Sequence, residues 1–260
     1  MSEIIKDLGD GLILRRSSRD DVDALAAFNK QIHAEEEMEG IGLDAWTQDL
    51  LSGKHPNFGV DDFTVVEHVE DHKIVSTMNL ISQTWTYEGI PFGVGRPELV
   101  GTLPEFRNRG LVRVQFEEVH RWSAERGEML QGITGIPFYY RLFGYEMVLE
   151  LGGGRTGYEA QLPTLPPSDS EPFSIRPAGE ADIPFLMEVY SHASRRHLVT
   201  CVHDEATWRH ALAGQGEKSV VRQEFRILSR AATGEAVGYF SHPWFAWDTG
   251  LVAQFYELKP

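Results

Sequence analysis

The sequence predicts an α/β chain of two units, the second a partial repeat of the first, on three observations. Strand–turn–helix patterns recur along it, two of these echoes share one offset, and a proline-rich stretch separates the copies. Its 260 residues exceed one domain of roughly 100–200. A hydrophobic fraction of 42%, with 14 Phe, 6 Trp and 8 Tyr, is that of a folded globular chain.

The first pattern opens at the apolar run Leu12 to Leu14. Arg15 and Arg16 follow, Ser17 to Asp21 supply capping residue types, and Val22, Leu25, Ala26 and Phe28 carry helical spacing. It returns where Ile175, Arg176, Pro177, Ala178 and Gly179 precede Asp182, Ile183 and Leu186. Arg15 then pairs with Arg176, Asp21 with Asp182 and Leu25 with Leu186. A second echo sets Phe63, Val65, Val66, Ile74 and Val75 against Phe225, Ile227, Leu228, Ala236 and Val237. A shared offset of about 160 residues points to internal duplication.

Between the copies, Leu162 to Pro172 holds Pro163, Pro166, Pro167 and Pro172 with Ser168 and Ser170, which extends neither a helix nor a central strand. The expected organisation is a first unit over 1–160, a linker over 161–172 and a partial unit over 173–260. Aligned on the first, the second runs out at Pro260, where the first copy begins the segment Glu98 to Gly110.

A formal net charge of -15 argues against a nucleic-acid partner and an acidic membrane, because phosphate neutralisation needs a concentrated basic surface. It suits a cationic substrate, or simply solubility through self-repulsion. The single cysteine, Cys201, excludes an internal disulfide and a multi-cysteine zinc site, which fits a reducing cytoplasm. Neither a signal sequence nor a stretch approaching the roughly 18 apolar residues of a membrane span is expected.

Chemistry concentrates after Glu98. Glu98 to Leu103 reads as a strand ending at Pro104, followed by Arg107, Asn108, Arg109, Gly110, Leu111, Val112 and Arg113. Val112, Phe116, Val119 and Trp122 then recur at helical spacing, with Arg113, Glu117, Glu118 and Arg121 opposite and Gly127 as the stop. A strand leading through a glycine loop into a helix presents unpaired N–H groups at the positive end of the helix dipole, a geometry that binds phosphate. Three arginines in an acidic chain suit a pyrophosphate there, and Gly110 admits close backbone approach. An ordinary basic helix start is the alternative.

Here the sequence resembles the GNAT superfamily, whose signature is Arg or Gln, two residues, Gly, one residue, then Gly or Ala, between the fourth strand and the third helix. Arg107, Gly110 and Val112 occupy these positions, Val112 departing from the small residue. The wording Arg107 to Arg113 is similar to the Eis-type tandem branch. Downstream, Met129 to Thr134 reads as a strand, and Phe138 to Tyr145 resembles the GNAT ending in which an aromatic-rich helix meets the last strands, with Met147 to Leu151 as the closing strand. The resemblance covers most of 12–151 and implies a mixed, mostly antiparallel sheet flanked by helices, with acetyl-CoA as co-substrate and no metal.

It further implies roles. Val100, Gly101 and Thr102 would hold the thioester through strand amides, a contribution of roughly 3–4 kcal/mol in the transition state. Arg107, Asn108, Arg109, Gly110, Leu111, Val112 and Arg113 would cradle the cofactor. Tyr140, four residues before Gly144, would protonate the departing sulfur, with Tyr139 as the fallback. Glu98 is placed as a base for the amine, or is a solvated strand-end carboxylate. The acidic run Glu35, Glu36, Glu37 either recruits a cationic acceptor or forms a solvated face. The implied function is N-acetyltransfer to a primary amine of a small cationic molecule or a protein; the alternative is a non-catalytic acyl-CoA-binding or interaction protein. A small amine is the expected partner, and self-association is left open.

Two other signals are set aside. Gly152, Gly154 and Gly157 spell a dinucleotide fingerprint but run into prolines where its helix should begin. His192, His197, Cys201, His203 and His210 lack the spacing of helical ligand pairs.

Overall fold

A computed structural model describes residues 3–136, 138–150, 153–162, 166, 171–243 and 250–260. The chain opens with the hairpin β1 (Ile4–Gly9) and β2 (Leu12–Arg16), then α1 (Val22–His33), α2 (Glu37–Leu51), β3 (Phe63–His68), β4 (Lys73–Tyr87), β5 (Ile90–Thr102), α3 (Leu111–Glu125) and β6 (Leu130–Gln131). These strands lie in the order β1-β2-β3-β4-β5-β6, antiparallel throughout except that β6 runs parallel to β5. Helices cover both faces. Leu25 and Phe28 of α1 and Leu43 and Leu50 of α2 bury against Phe63, Val65 and Ile81 on one face. Phe116, Val119 and Trp122 of α3 bury against Met78 and Leu80 on the other. The alternation of these β4 side chains follows from the two-residue strand period.

The rest of the chain forms β7 (Arg155–Tyr158), β8 (Phe173–Pro177), α4 (Ile183–Ser194), β9 (Val199–Cys201), α5 (Glu205–Arg209), β10 (Gln223–Arg230), β11 (Ala236–Pro243), β12 (Gly250–Ala253) and β13 (Phe255–Leu258). A second antiparallel sheet has the order β13-β11-β10-β8, and β12 pairs with β7. Two pairs of positions matched in the sequence make similar local contacts. Arg15 clasps Asp21 through two bonds of 2.6 and 2.9 Å, and Arg176 clasps Asp182 through two of 2.6 and 2.8 Å. The Val65↔Thr77 pair of β3 and β4 stands at the positions matching the Ile227↔Tyr239 pair of β10 and β11.

Surroundings separate the two clasps. Arg15 is buried and also bonds Glu67 at 2.5 Å, whereas the Arg176 side chain is 54% exposed. Asp21→Ala takes one of two carboxylates from the buried Arg15 and leaves Glu67 in place, so it should cost about 1.5–3 kcal/mol, the worth of hydrogen bonds to a charged group. The exposed copy is worth little, so Asp182→Ala should cost at most about 1 kcal/mol. Paired denaturant titrations check this; equal losses would contradict it.

The later part of the chain docks on the first sheet at two places. β9 pairs with the far end of β4 beside Trp85, sealed by the Thr86–Thr200 hydroxyl bond of 2.7 Å. Against α2, the Asp49 carboxylate accepts the Gly216 N–H, and the Val220 N–H donates to the Gly42 carbonyl at 3.0 Å. The His55 and His210 rings meet beside it, centroids 4.5 Å apart. Burial, with the charge of His210, pushes His55 down to about 4; burial lowers His210 as well, against the pull of Asp49. Both docked pKa values lie below the unfolded value of about 6.5. The undocked state therefore binds more protons in between, and docking stability present above about pH 6.5 is lost as pH falls through about 4. Faster amide exchange over 198–222 at pH 5 than at pH 7.5, after correction for intrinsic rates, checks this. Unchanged protection would contradict it.

Four expectations are corrected. The strand expected over Met129 to Thr134 is only Leu130–Gln131. Met147 to Glu150 form no strand, and Met147 and Val148 are exposed because β6 offers too short an edge to pair them; Leu151 lies outside the described residues, as does most of the Leu162 to Pro172 linker. The aromatic helix is a single 3₁₀ turn, Tyr140–Phe143. Glu118, expected on the solvent face of α3, is buried beneath Arg121, which pairs with it. Among the described residues no helix is long and apolar enough to cross a membrane, and no cluster of three metal-ligating side chains occurs.

Candidate active site

The β4–β5 ladder is continuous from Tyr87↔Ile90 to Ser76↔Thr102 apart from one step, where Gly101↔Thr77 gives way to Glu98↔Asn79. Leu99 and Val100 together therefore stand opposite Met78, a bulge in which Leu99 takes φ +52°. On its other side β5 pairs with β6 only at Val94 and Gly95. Beyond Gly95 the two strands part, and among the described residues β5 has no partner there as far as Thr102. Ile133, Tyr140 and Phe143 pack in one cluster with Val100 of this strand.

β5 delivers the chain into the arginine loop. Leu103 is buried and its N–H bonds the Val75 carbonyl at 2.9 Å, anchoring the start. A 3₁₀ turn over Pro104–Phe106 follows, then Asn108 at φ +63° and Gly110 at φ +75° immediately before α3. A left-handed residue at this cap suits glycine, and a Cβ built on Gly110 meets nothing within 4 Å, so the loop is open at that point. A buried polar set fixes the helix above the strand end. Gln115 donates to Ser76 at 2.7 Å, Thr64 donates to Gln115 at 3.0 Å, and Ser76 bonds Thr102 at 2.7 Å.

The first-turn amides of α3 have no intrahelical acceptor, as at any helix start. Around them Arg107, Arg109 and Arg113 are all exposed, and among the described residues none of the three joins a salt bridge, unlike Arg121 and Arg126 farther along. Arg109 stacks on Phe106 at 5.1 Å and Arg113 on Phe143 at 5.2 Å, which orients both heads without neutralising them. Val112 turns inward against the Phe116–Trp122 cluster, so its bulk does not fill the loop. These features fit a diphosphate: open backbone, free N–H groups and uncompensated positive charge. A cleft of about 410 Å³ opens at this helix start, lined by Arg109, Gly110, Leu111 and Arg113 together with Asp7 and Asp10 of the β1–β2 turn.

Tyr140 and Glu98 lie near one another beside β5. The Tyr140 ring rests edge-on against Phe116, centroids 6.0 Å apart, and over Gly135, where a Cβ would lie 3.4 Å from the ring. Burial pushes its phenol up to about 12, and the Glu98 charge and Tyr139 add to the shift. Burial also raises the Glu98 carboxyl, opposed by its ion pair with Arg96. Tyr145 bonds His120 at 2.9 Å behind this pair. Glu35, Glu36 and Glu37 lie exposed at the turn between α1 and α2, with the Glu35 N–H bonded to Glu39.

Two residues at the site went unread in the sequence. Arg96 shares a strand face with Glu98 at two-residue spacing, a signal that was present. His33 ends α1 with a buried Nε2 against Gly101, and nothing in its local sequence marks that contact.

The model of the acetyltransferase (GNAT) domain matches residues 14–148, more than half of the chain. The chain belongs to the GNAT acetyltransferase family. Among solved structures, the GNAT fold here is similar to N-myristoyltransferase of Saccharomyces cerevisiae with bound myristoyl-CoA, at 13% identity and a TM-score of 0.67 over 94% of this chain and 62% of that one. A GCN5-related N-acetyltransferase from Kribbella flavida gives 17% identity and a TM-score of 0.63 over 94% and 57%. A probable N-acyltransferase of Enterococcus faecalis gives 15% and 0.60 over 90% and 55%. This GNAT chain thus spans only 55% to 62% of the length of those structures. No curated protein matched it.

Proposed function

We propose that the protein transfers an acetyl or related acyl group from acyl-CoA to a primary amine of a small cationic molecule or a protein, by direct attack. The observation that carries the reading is the unpaired flank of β5 running into a helix start ringed by three uncompensated arginines. Coenzyme A would supply the thioester, its diphosphate held by the amides of Gly110 to Arg113 with Arg107 and Arg109. A cytoplasmic setting and a tandem arrangement of two GNAT-like units, the second lacking the arginine loop, belong to the same reading.

The residues divide the proton work. An alkyl amine of pKa near 10 is neutral about once per thousand molecules at pH 7, a cost of roughly 4 kcal/mol. Glu98, whose carboxyl is raised by burial, accepts that proton directly or through water. At about 12 the Tyr140 phenol is a poorer donor than a free phenol, and part of the shift is the negative charge of Glu98. Protonation of Glu98 removes that part, so Tyr140 becomes the better acid as the sulfur departs.

The test is release of free thiol from acetyl-CoA with a panel of polyamines, aminoglycosides, amino acids and lysine peptides. Amine-dependent release supports the reading. Tight CoA binding with no release from any amine would instead mark an acyl-CoA sensor, and no CoA-dependent rise in melting temperature would remove both.

A further inference from the structure

We propose that the cleft between β1 and the start of α3 takes the adenosine 3′-phosphate end of CoA, with Lys6 as the cation that holds the 3′-phosphate. The inference rests on the acyl-CoA reading above and deepens it, because it makes the nucleotide end, and not only the diphosphate and the thioester arm, a part that the protein recognises.

The walls of the cleft are fixed. Asp10 and Gly11 form a two-residue turn at φ +49° and +73°, the left-handed pair that a tight hairpin demands, and it closes β1 on β2 at Gly9↔Leu12. The Asp7 carboxylate accepts the Gly9 N–H at 2.9 Å and braces the same turn. Beneath it Leu12 and Leu111 are buried, with Leu8 and Val114 packed against the same core, so strand and helix start hold their separation. The space between them is about 410 Å³, within the roughly 300–1,000 Å³ of small-molecule sites.

Its charges are set apart. Lys6, Arg109 and Arg113 line it together with Asp7, Asp10 and Glu117, and among the described residues none of the six joins a salt bridge. On the same helix, Arg121 is held by both Glu118 and Glu125. Opposite charges that share a cleft without meeting leave cations for an anion and acceptors for N–H and O–H donors, both unclaimed. A simple anion uses half of that set. The nucleotide end of CoA uses all of it, through a phosphate, a ribose hydroxyl and the adenine amine.

The cleft is also continuous with the diphosphate cradle, since Arg109, Gly110, Leu111 and Arg113 belong to both. A diphosphate has two ends. In the strand order β1 stands at the far edge from β5, so a thiol arm leaving along β5 toward Tyr140 sends the ribose to the β1 side. Arg107, Arg109 and the helix-start amides serve the diphosphate, which leaves Lys6, on the opposite wall, for the 3′-phosphate. The Asp10 carboxylate beside it accepts from the ribose hydroxyl or the adenine amine.

The experiment compares the binding of CoA and 3′-dephospho-CoA by calorimetry on the parent, Lys6→Ala, Lys6→Arg and, as a control for net charge, Lys218→Ala. Expected for the parent is tighter binding of CoA by about 5- to 20-fold, the effect of a charge-assisted contact at an exposed lysine. Lys6→Ala should bind CoA no better than dephospho-CoA, with its affinity for dephospho-CoA within about twofold of the parent's. Lys6→Arg should keep the preference, and Lys218→Ala should match the parent. Equal affinity of the parent for the two ligands would overturn the inference by leaving the 3′-phosphate in solvent. A preference that survives Lys6→Ala would put the phosphate on another cation, and equal losses for both ligands would make Lys6 a contact of the diphosphate or of the fold; either result refutes it. Binding of neither ligand to the parent would remove the acyl-CoA reading itself, an outcome distinct from all of these.

Discussion

Tyr140→Phe should lower kcat by about 10²-fold or more while leaving acetyl-CoA affinity within about twofold. The substitution keeps the ring, and with it the edge contact to Phe116 and the packing over Gly135, so the fold around it is retained. What is lost is one hydroxyl whose raised pKa keeps it protonated at every working pH. A group that acts only as the sulfur leaves contributes to the transition state and not to the bound ground state, and its removal appears in kcat. Rapid-mix turnover and equilibrium CoA binding on the same preparation check this. Equal losses in both would remove Tyr140 from the chemistry and leave it a packing residue.

Arg107→Ala combined with Arg109→Ala should weaken CoA binding by about 10- to 100-fold, because each charge-assisted bond to phosphate is worth roughly 1.5–3 kcal/mol before solvent screening. Both side chains are exposed, so their removal should leave the melting temperature of the free protein nearly unchanged. The loss should appear in affinity, and the dependence of affinity on salt should flatten, because two of the charges that salt screens are gone. Titration calorimetry at two ionic strengths checks both points. Parent-like affinity in the double variant would mean that the arginines serve solubility and not the cofactor.

Much of the first unit was legible because its signals are local. The β2–α1 and β5–α3 passages are written in strand runs, capping residues and the left-handed Gly110, each acting within a few positions. The offset between Arg15 and Arg176 was legible for the same reason, since each clasp closes over six residues. Less visible was whatever depends on a distant partner. Met147 and Val148 have strand-forming side chains but no edge to join, and the pairing of β9 with β4 links positions more than a hundred apart. The bulge at Leu99 carries no glycine to announce it, and Glu118 is buried by a fold of Arg121 that helical spacing alone does not dictate.

The candidate site divides the same way. Arg107 to Arg113 and Tyr140 were readable as contiguous motifs, and the structure packs Val112 and Arg113 beside the Tyr140–Phe143 turn. Glu98, read as the start of a strand, instead lies well inside β5, and its burial, its pairing with Arg96 and its influence on Tyr140 depend on partners that the local sequence does not mark. His33 became visible only when α1 was seen pressed on Gly101.

A structure of the protein bound to CoA tests the central claim most directly. The account predicts the diphosphate on the N–H groups of Gly110 to Arg113, with the thiol arm passing along the free flank of β5 toward Tyr140. A diphosphate bound away from those N–H groups, for instance on the later sheet β13-β11-β10-β8, would contradict it.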